Sequence, residues 1–395
     1  MGLRKLEDLN LENKKVLIRL DLNVPLKNGV ISDETRILAA IPTLKYILER
    51  TNKVAIASHL GRPKGEVVKS MSLEPVGLRL AELLEREVVF IDDYLSEPTD
   101  QVLNQLNSNQ FILLENVRFH EGETKNDRDF AQSLVQGFDY FVNDAFGAVH
   151  RSHASVVGVA DCLKPEQRAA GLLVQKETEI LSKVQKNPKS PFVAIVGGSK
   201  VSDKIGVTLN LLNNCNQLLI GGAMAYTFLK YKGFNVGTSM VEEDKLDLVE
   251  SIYRNAEQRR VEIFLPLDHV CAAEFKEDSP AKVIHEESIP DGLMGLDIGP
   301  KTVAMFSEKI LGAATVLWNG PMGVFEWSAF DKGSLAVADA CAATGAYTVI
   351  GGGDSVAAIN KAGVADKVDH ISTGGGASLE FLEGKILPGL KVLSE

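Results

Sequence analysis

The feature that most constrains the fold is an alternation of short apolar runs with longer amphipathic segments along all 395 residues. Runs rich in β-branched and apolar residues predict buried strands, and apolar residues spaced three and four apart predict helices. Five strands are predicted in the first half of the chain: Lys15–Asp21, Lys53–Ser58, Val88–Asp92, Phe111–Glu115 and Tyr140–Asn143. Strands that alternate with helices in this way favour parallel sheets with helices on both faces.

Three segments between or after these strands are predicted to be helices: Asp33–Arg50, Leu73–Arg86 and Pro165–Lys186. In the first, Ser32 or Asp33 suits the N-cap. Its apolar stripe consists of Ile37, Ile41, Leu44 and Leu48. In the third, Pro165 suits the first turn and "NPKSP" ends the helix, which is expected to connect the two halves of the chain.

The length of the chain predicts two domains, since single domains commonly hold about 100–200 residues. The predicted fold class is α/β, with two doubly wound, Rossmann-like parallel-sheet domains joined by a long helix and hinge. The net charge of −11 argues against a general nucleic-acid binder.

Cationic side chains follow the predicted strands of the first half. The segments that follow the strands are "DLNVP", "SHLGRPKG", "ENVRFHEGE" and "NDAFGAVHRSH", and Arg36, His59, Arg62, Arg118 and Arg151 lie at or beyond strand ends. In open α/β sheets, ligands bind at the carboxyl edge of the strands. Four arginines on one edge indicate an anionic ligand, because unpaired like charges need an anion to neutralise them.

Each of these residues also has a simpler interpretation. Arg36 could pair on the surface with Asp33 or Glu34, and His59 could be a structural turn histidine. The gathering of several cations at one edge favours the anion-binding interpretation for both.

Five apolar runs in the second half each end in glycine: "FVAIVGGSKVSDK", "LLIGGAMA", "TVLWNGPMGVFE", "YTVIGGGDS" and "HISTGGGAS". Glycine lets backbone N–H groups approach a ligand closely, and a helix that starts behind the turn favours anions. The series predicts a nucleotide site. Lys200 and Lys204 would share a helix face if a helix began near Ser199, although Asp203 could simply offset them. Asp354 is a candidate Mg²⁺ ligand or, alternatively, an N-cap.

Further features of the sequence exclude several classes of protein. Cys162, Cys215, Cys271 and Cys341 are far apart and form no CxxC pair, so neither zinc nor a disulfide framework is expected. The start "MGLRKLEDLN" lacks the apolar core of a signal peptide, and no apolar stretch approaches the roughly 20 residues of a membrane span. A cytoplasmic protein without a membrane partner is expected.

These residues predict a small, multiply anionic substrate in one domain and a nucleotide in the other. No Ser–His–Asp, Cys–His or glycosidase carboxylate pair is evident, so phosphoryl transfer without a covalent protein intermediate is the natural chemistry. A nicotinamide dehydrogenase is disfavoured, because "GGGDS" and "GGGAS" lack the GxGxxG spacing. Two further classes of protein fit the same residues: a two-lobed solute-binding protein and a kinase for another small acceptor.

Eight motifs resemble those of phosphoglycerate kinases, in the same order, from about Arg19 to Pro388. They are "RLDLNVP", "SHLGRPKG", "LLENVRFHEGE", "NDAFGAVHRSHAS", "VGGSKVSDKI", "LWNGPMGVFE", "GGGDS" and "STGGGASLEFLEGK". The resemblance implies in-line, Mg²⁺-dependent transfer between 1,3-bisphosphoglycerate and ADP, giving 3-phosphoglycerate and ATP, in glycolysis, gluconeogenesis or carbon fixation. It also implies a monomer that closes about hinges near Ser372–Thr373, with small-molecule substrates and no nucleic-acid or membrane partner.

The resemblance further implies domain bounds and site residues. Residues 1–168 would bind phosphoglycerate, with about 378–395 packing back on them, and residues 169–377 would form the linker helix and nucleotide domain. The phosphoglycerate site would comprise Asp21, Asn23, Arg36, His59, Arg62, Arg118 and Arg151. The nucleotide site would comprise Lys204, Gly222, Gly295, Asn319, Pro321, Glu326, Gly352, Gly353, Asp354 and Ser355, with Asp354 on the Mg²⁺ of the nucleotide. The residues that stabilise the moving phosphoryl would be Arg36, Lys200, Lys204, Gly352 and Gly375.

Two departures from the resemblance are small. Ser199 stands where many members have alanine, and Ser355 stands where many have threonine. Neither removes a cation or a Mg²⁺ ligand, so activity is expected.

Overall fold

The computed structural model describes residues 2–96 and 99–394. Within this part of the chain, the five strands predicted for the first half all form, each within one or two residues of its predicted bounds. Their side chains alternate between two apolar clusters. Ile18 and Ile56 pack in one cluster with the helix residue Leu44, whereas Leu17 and Ala55 belong to the other. Apolar residues on both faces are expected for a parallel strand covered by helices on both sides.

One compact unit comprises the described residues up to Glu179 together with those from Ile386 onward. Its strands are β1 (Val16–Arg19), β2 (Leu26–Lys27), β3 (Val30–Ile31), β4 (Val54–Ala57), β5 (Glu87–Ile91), β6 (Gln110–Leu114), β7 (Tyr140–Asn143) and β8 (Arg168–Ala170). The helices up to the division are α1 (Thr35–Leu48), α2 (Glu74–Leu84), α3 (Thr99–Gln105), α4 (Glu121–Lys125), α5 (Arg128–Val135), α6 (Val159–Asp161) and α7 (Leu172–Lys186). Six strands form a parallel sheet in the order β5-β6-β4-β1-β7-β8, and β2 and β3 form a separate hairpin.

The second compact unit comprises Ile180–Lys385. Its strands are β9 (Phe192–Val196), β10 (Gln217–Ile220), β11 (Glu262–Phe264), β12 (His269–Ala272), β13 (Lys282–Ile284), β14 (Met294–Ile298), β15 (Thr315–Asn319), β16 (Tyr347–Gly351) and β17 (His370–Ile371). Its helices are α8 (Ile205–Leu211), α9 (Met224–Tyr231), α10 (Leu246–Arg259), α11 (Pro300–Leu311), α12 (Lys332–Ala343), α13 (Gly353–Ala362) and α14 (Gly376–Leu382). A six-stranded parallel sheet has the order β11-β10-β9-β15-β16-β17, beside an antiparallel sheet β13-β12-β14. Two parallel-sheet α/β units confirm the predicted fold class.

The prediction of one helix over Pro165–Lys186 was wrong in its first third. Pro165–Gln167 forms a 3₁₀ turn, and Arg168–Ala170 forms β8, which pairs in parallel with β7. The backbone of this segment therefore completes the sheet edge, and α7 begins only at Leu172. The division between the two units falls within α7.

The prediction of Ser32 or Asp33 as the N-cap of α1 was also wrong. The cap position is Glu34, which makes no side-chain cap hydrogen bond. Asp33 lies one residue earlier and still accepts a hydrogen bond from the backbone N–H of Thr35 at 2.8 Å.

The returning C-terminal segment contains the last helix, α15 (Pro388–Lys391). Gly389 donates its backbone N–H to Val149 O at 2.8 Å, and a Cβ at this glycine would lie 2.9 Å from Val149 Cα. The segment that packs on the first unit starts at Ile386, later than the expected position near residue 378. By contrast, α14 stays with the second unit, where Asn210 donates to Leu382 O at 2.6 Å.

The four cysteines are all free. Among the helices of the described residues, none combines the length and the apolar content that crossing a lipid bilayer needs.

Candidate functional site

The order of the first sheet explains why its cationic residues meet. Strands β6, β4, β1 and β7 are neighbours, and all run in the same direction. The segments that leave their carboxyl ends are therefore side by side at one edge. The predicted residues on these segments are Asp21, Asn23, His59, Arg62, Arg118 and Arg151, and Arg36 follows at the start of α1.

His59 lies at the centre of this group and is buried. Its Nδ1 is 3.0 Å from a terminal nitrogen of Arg19. Because a guanidinium can only donate, Nδ1 must accept, and the ring hydrogen is then on Nε2. Burial lowers the pKa of His59 well below its usual value, and the charges of Arg19, Arg118, Arg151 and Arg36 act in the same direction. His59 is therefore a neutral donor in a positive environment.

Arg36 is held by its own unit on the loop that follows β1. Its guanidinium donates to Asn23 O at 2.8 Å and lies 3.4 Å from the Asp21 carboxylate. Asn23 in turn accepts from the backbone N–H of Gly61 at 2.8 Å, which ties this loop to the segment containing His59.

The alternative interpretation, in which Arg36 pairs on the surface with Asp33 or Glu34, is wrong. Its hydrogen bonds go to Asp21 and Asn23 rather than to Asp33 or Glu34. Glu34 instead pairs with Arg79 at 2.7 Å.

Arg118 combines burial with unsatisfied hydrogen-bond donors. One terminal nitrogen donates to Gly61 O at 2.7 Å, whereas its Nε and other terminal nitrogen are buried with no partner among the described residues. Burial lowers the pKa of Arg118 to about 10, and the nearby Arg151 and Arg19 act in the same direction. Buried donors without partners are rare in proteins, and an anion bound at this edge would satisfy them. Arg62 is exposed and has no ion pair within the described part of the chain.

A buried polar network beneath this site was missed by sequence reasoning. Arg19 is fully buried and donates through Nε to the hydroxyl of Ser155 at 2.8 Å. Ser155 donates both its N–H and its hydroxyl to Glu123 at 2.8 Å, and Glu123 lies 3.4 Å from Nδ1 of His153. The signal that could have identified it is a cation inside the apolar run "VLIRLDL".

In the second unit, the glycine-ended runs form β10, β9, β15, β16 and β17, which are adjacent in that order. Their turns are therefore neighbours at the carboxyl edge of this sheet. A cavity of about 610 Å³ lies there, within the size range of small-molecule sites. Five predicted residues line it: Gly222, Gly295, Pro321, Glu326 and Asp354. Much of the remaining wall is apolar and comes from Met240, Phe275, Met294, Leu296 and Val324.

A second group of predicted residues lies beside this cavity rather than on its wall. The Nζ of Lys204 donates to Oδ1 of Asn319. Nδ2 of Asn319 is buried without a partner among the described residues, and a Cβ on Gly352 would lie 3.2 Å from it. Burial lowers the pKa of Lys204, against the opposing charges of Asp354 and others. These residues thus form a compact donor group next to the turn at Gly352.

The positions of Lys200 and Ser355 differ from the expectations. Helix α8 begins at Ile205, so Lys200 and Lys204 do not share a helix face, and Lys200 is exposed. Ser355 is buried, and its hydroxyl accepts from the N–H of Gly320 at 2.5 Å. Gly375 precedes α14 with φ +50°, in the turn that follows β17.

Asp354 is not an N-cap, because that position of α13 is Gly352, with φ +87°. The Asp354 carboxylate is exposed and has no hydrogen bond or ion pair within residues 2–96 and 99–394. The same residues contain no cluster of three or more potential metal ligands. A single free carboxylate fits Mg²⁺ carried by a nucleotide, because Mg²⁺ takes most of its ligands from phosphates and water.

Comparison with known proteins identifies the family of this chain. The sequence profile of the family described as "Phosphoglycerate kinase" matches residues 6–385. The chain belongs to the phosphoglycerate kinase family. The phosphoglycerate kinase of Anaeromyxobacter dehalogenans (strain 2CP-C) is 52% identical over 398 residues, covering 100% of both chains. That of Clostridium botulinum (strain Eklund 17B / Type B) is 50% identical over 394 residues, covering 99% of both.

Solved structures of the phosphoglycerate kinase family have the same fold. The structure of phosphoglycerate kinase from Coxiella burnetii matches with a TM-score of 0.89 and 42% identity, covering 99% of both chains. That of phosphoglycerate kinase from Pyrococcus horikoshii OT3 matches with a TM-score of 0.84 and 34% identity, covering 99% of this chain and 98% of the other.

Proposed function

We infer that this chain reversibly transfers a phosphoryl group between 1,3-bisphosphoglycerate and ADP, giving 3-phosphoglycerate and ATP. It is a phosphotransferase with a carboxyl group as acceptor, and its family acts in glycolysis. The observation that carries this function is the set of buried, unpartnered donors of Arg118 beside His59, in a chain that matches the family over 6–385.

We assign the binding of phosphoglycerate to the cationic edge of the first unit. Arg118 has two free donors, and Arg62 and Arg151 add positive charge. The Nε2–H of His59 supplies a neutral hydrogen bond, since burial and the surrounding arginines keep this ring uncharged. Asp21 and Asn23 orient Arg36.

The chemical step is a direct transfer. A carboxylate oxygen of 3-phosphoglycerate attacks the γ-phosphorus of ATP, the bond from that phosphorus to the β–γ bridging oxygen breaks, and ADP leaves with that oxygen. The charge of the transition state spreads over the three equatorial oxygens of the phosphoryl. We assign its stabilisation to Arg36, Lys200, Lys204 and the backbone N–H groups at Gly352 and Gly375. Of the three side chains, Arg36 and Lys204 are held in place by hydrogen bonds, as preorganised donors should be.

We place the nucleotide on the cavity of the second unit and its turns. The residues assigned to it are Lys204, Gly222, Gly295, Asn319, Pro321, Glu326, Gly352, Gly353, Asp354 and Ser355. The apolar wall suits a base, and the glycine turns suit phosphates. Asp354 would hold the Mg²⁺ that the nucleotide brings, and that ion would offset phosphate charge.

Removing the Asp354 carboxylate tests this magnesium assignment. We expect Asp354→Ala to raise the Mg²⁺ concentration for half-maximal rate by about tenfold or more, because Mg²⁺ typically takes only one or two protein carboxylates. The measurement is a magnesium titration of the rate at fixed ATP. Asp366→Ala, another exposed aspartate of the same unit, is the control and should leave the titration unchanged. An unchanged titration in Asp354→Ala would reject the assignment.

A coupled assay of ATP consumption with 3-phosphoglycerate tests the function itself. We expect turnover with 3-phosphoglycerate and Mg²⁺, and little with other small carboxylic acids, which would distinguish this enzyme from a different small-molecule kinase. ATP that is not consumed with 3-phosphoglycerate would reject the function.

We further propose a monomer in the cytoplasm, without nucleic-acid or membrane partners. The net charge of −11 and the glycolytic role of the family support this proposal. Light scattering after size exclusion would test the monomeric state.

A further inference from the structure

Asp297 is a buried acid that the proposed chemistry does not use. It lies in β14, directly after three residues that line the nucleotide cavity: Met294, Gly295 and Leu296. Asp297 does not itself line the cavity, and it is 1% exposed. A carboxyl buried this completely needs a structural or functional reason.

Three backbone segments meet at this carboxyl. One oxygen accepts from the N–H of Gly333 at 2.7 Å, in the first turn of α12, and the other accepts from the N–H of Ile298 at 2.9 Å. The third segment is the turn at Gly323, where a Cβ would lie 2.3 Å from Oδ1 of Asp297. A Cβ at Gly333 would also lie 2.3 Å from this oxygen. Glycine at both positions is therefore what allows the two segments to close on the carboxyl.

The turn at Gly323 is itself a wall of the cavity. Pro321, Met322, Gly323 and Val324 all line it. Val324 donates its N–H to Leu296 O at 2.8 Å, so the turn is joined to β14 next to Asp297.

We propose that Asp297 is a positioning residue for the nucleoside part of the nucleotide, because it holds two walls of the cavity, β14 and the Gly323 turn, at a fixed separation against α12. The inference rests on the proposed nucleotide site. It assigns Asp297 no contact with the substrate and no part in the transfer of the phosphoryl group.

The protonation of Asp297 makes this support sensitive to pH. Burial raises the pKa of Asp297 to about 8, against the hydrogen bonds from Gly333 and Ile298, and the charge of Asp331 adds to the rise. Above this pH, a negative charge is buried directly behind the wall of the cavity.

The ionisable groups around Asp297 come from several elements. Asp331 is at the N-cap of α12 and pairs with Lys361 of α13 at 3.0 Å. Tyr226 of α9 lines the cavity, and burial, with Cys271 and Asp297 nearby, raises its pKa well above the usual value. Burial also raises the pKa of Cys271, to about 12.

Steady-state kinetics with matched variants test the proposal. We expect Asp297→Ala to raise KM for ATP at least tenfold, with KM for 3-phosphoglycerate and kcat each within about threefold of the wild type. Asp268→Ala is the control: Asp268 is equally buried and accepts from the first-turn N–H groups of Lys301 and Thr302 in α11, but neither of these partners lines the cavity. An ATP KM that is unchanged in Asp297→Ala, or raised equally in Asp268→Ala, would overturn the proposal.

A pH profile provides a second readout that does not depend on the alanine variant being folded. In the wild type, KM for ATP should rise about tenfold between pH 7 and pH 9, as expected for a group with a pKa near 8. Asp297→Asn keeps the size of the side chain and an oxygen for the Gly333 N–H, and its profile should be flat. The same rise in Asp297→Asn as in the wild type would overturn the role of Asp297. A wild type that does not turn over ATP with 3-phosphoglycerate at any pH would instead reject the proposed function.

Discussion

Arg36 has its charge oriented before any substrate arrives. Its guanidinium is fixed by Asn23 O at 2.8 Å and by the Asp21 carboxylate at 3.4 Å, so one face is occupied while donors remain for a ligand. Fixed donors stabilise a transition state without reorganisation at the moment of reaction. This arrangement supports the catalytic role that we assign to Arg36.

We predict that Arg36→Ala lowers kcat at least about 100-fold while the protein stays folded, since one preorganised donor is often worth about 3 kcal/mol. The measurement is kcat in the coupled assay, with circular dichroism to verify folding. Arg79→Ala is the control, because Arg79 makes only surface pairs with Glu34 and Glu82 and should keep normal kcat. Near-normal kcat in Arg36→Ala would contradict the assignment.

Arg62 is expected to act on binding more than on rate. It is exposed on the loop after β4 and has no ion pair in the described residues, so its charge is available to the anionic end of phosphoglycerate. We predict that Arg62→Ala raises KM for 3-phosphoglycerate about tenfold or more and changes kcat much less, because hydrogen bonds to charged groups are worth about 1.5–3 kcal/mol. Lys69→Ala, an exposed cation on the same segment, serves as the control. If KM stayed constant, the position of the anionic end would be wrong.

At the scale of elements, the carboxyl end of β7 holds the start of α7. Oδ1 of Asp144 accepts from the N–H groups of Leu173 at 2.9 Å and Val174 at 3.2 Å. Gly171 permits this approach, because a Cβ there would lie 2.2 Å from the same oxygen. Burial raises the pKa of Asp144 to about 7, against these hydrogen bonds. The acid therefore caps a helix and is buried at the same time.

This burial predicts a pH dependence of stability. The pKa of Asp144 is higher in the folded state than in the unfolded chain. The stabilising contribution of Asp144 to the free energy of unfolding is therefore fully present below about pH 4, and it is lost as the pH rises through about 7. The urea midpoint of the wild type should therefore fall between pH 5 and pH 8, and Asp144→Asn should show a smaller fall. Asp92→Asn, at an exposed site, should behave like the wild type. An identical fall in Asp144→Asn would show that Asp144 does not titrate in this range.

The longer strands of the first unit, and the segments that follow them, could be predicted from the sequence. A buried parallel strand appears in the sequence as a continuous apolar run that ends at a turn. The short strand β8 could not be predicted, because Arg168–Ala170 contains no such run. It is a strand because its backbone pairs in parallel with β7. Likewise, the partner of Arg36 is Asp21, 15 positions away, whereas sequence spacing suggested Asp33 or Glu34. The network of Arg19, Ser155 and Glu123 depends on contacts more than 100 positions apart for Arg19, which no local pattern encodes.

At the scale of the whole molecule, the last described residues complete the first unit. Gly389 lies against Val149 and Val156, where a Cβ would come within 2.9 Å of Val149 Cα and 2.8 Å of Val156 Cγ1. Val149 belongs to the segment that carries Arg151, so the returning chain supports part of the cationic edge.

Gly389→Val should therefore destabilise the first unit by about 1–3 kcal/mol, as overpacking of a filled site does. Both tryptophans, Trp318 and Trp327, lie in the second unit and report on it alone. Urea unfolding followed by circular dichroism should shift to lower urea, while the transition followed by tryptophan fluorescence should stay in place. Gly345→Ala, where a Cβ meets nothing within 4 Å, is the control. A fluorescence transition that moves as far as the circular dichroism transition would mean that the substitution does not act on the first unit alone.

The division of the chain also bears on how the protein is made. The second unit is one continuous stretch, Ile180–Lys385, whereas the first unit needs residues from both sides of it. On a ribosome, all the residues of the second unit are synthesised before the segment that covers Val149 and Val156 emerges. The first unit must therefore wait with an uncovered apolar site until the segment from Ile386 onward has been synthesised, and this site is where we expect a chaperone that recognises exposed apolar residues to bind the nascent chain.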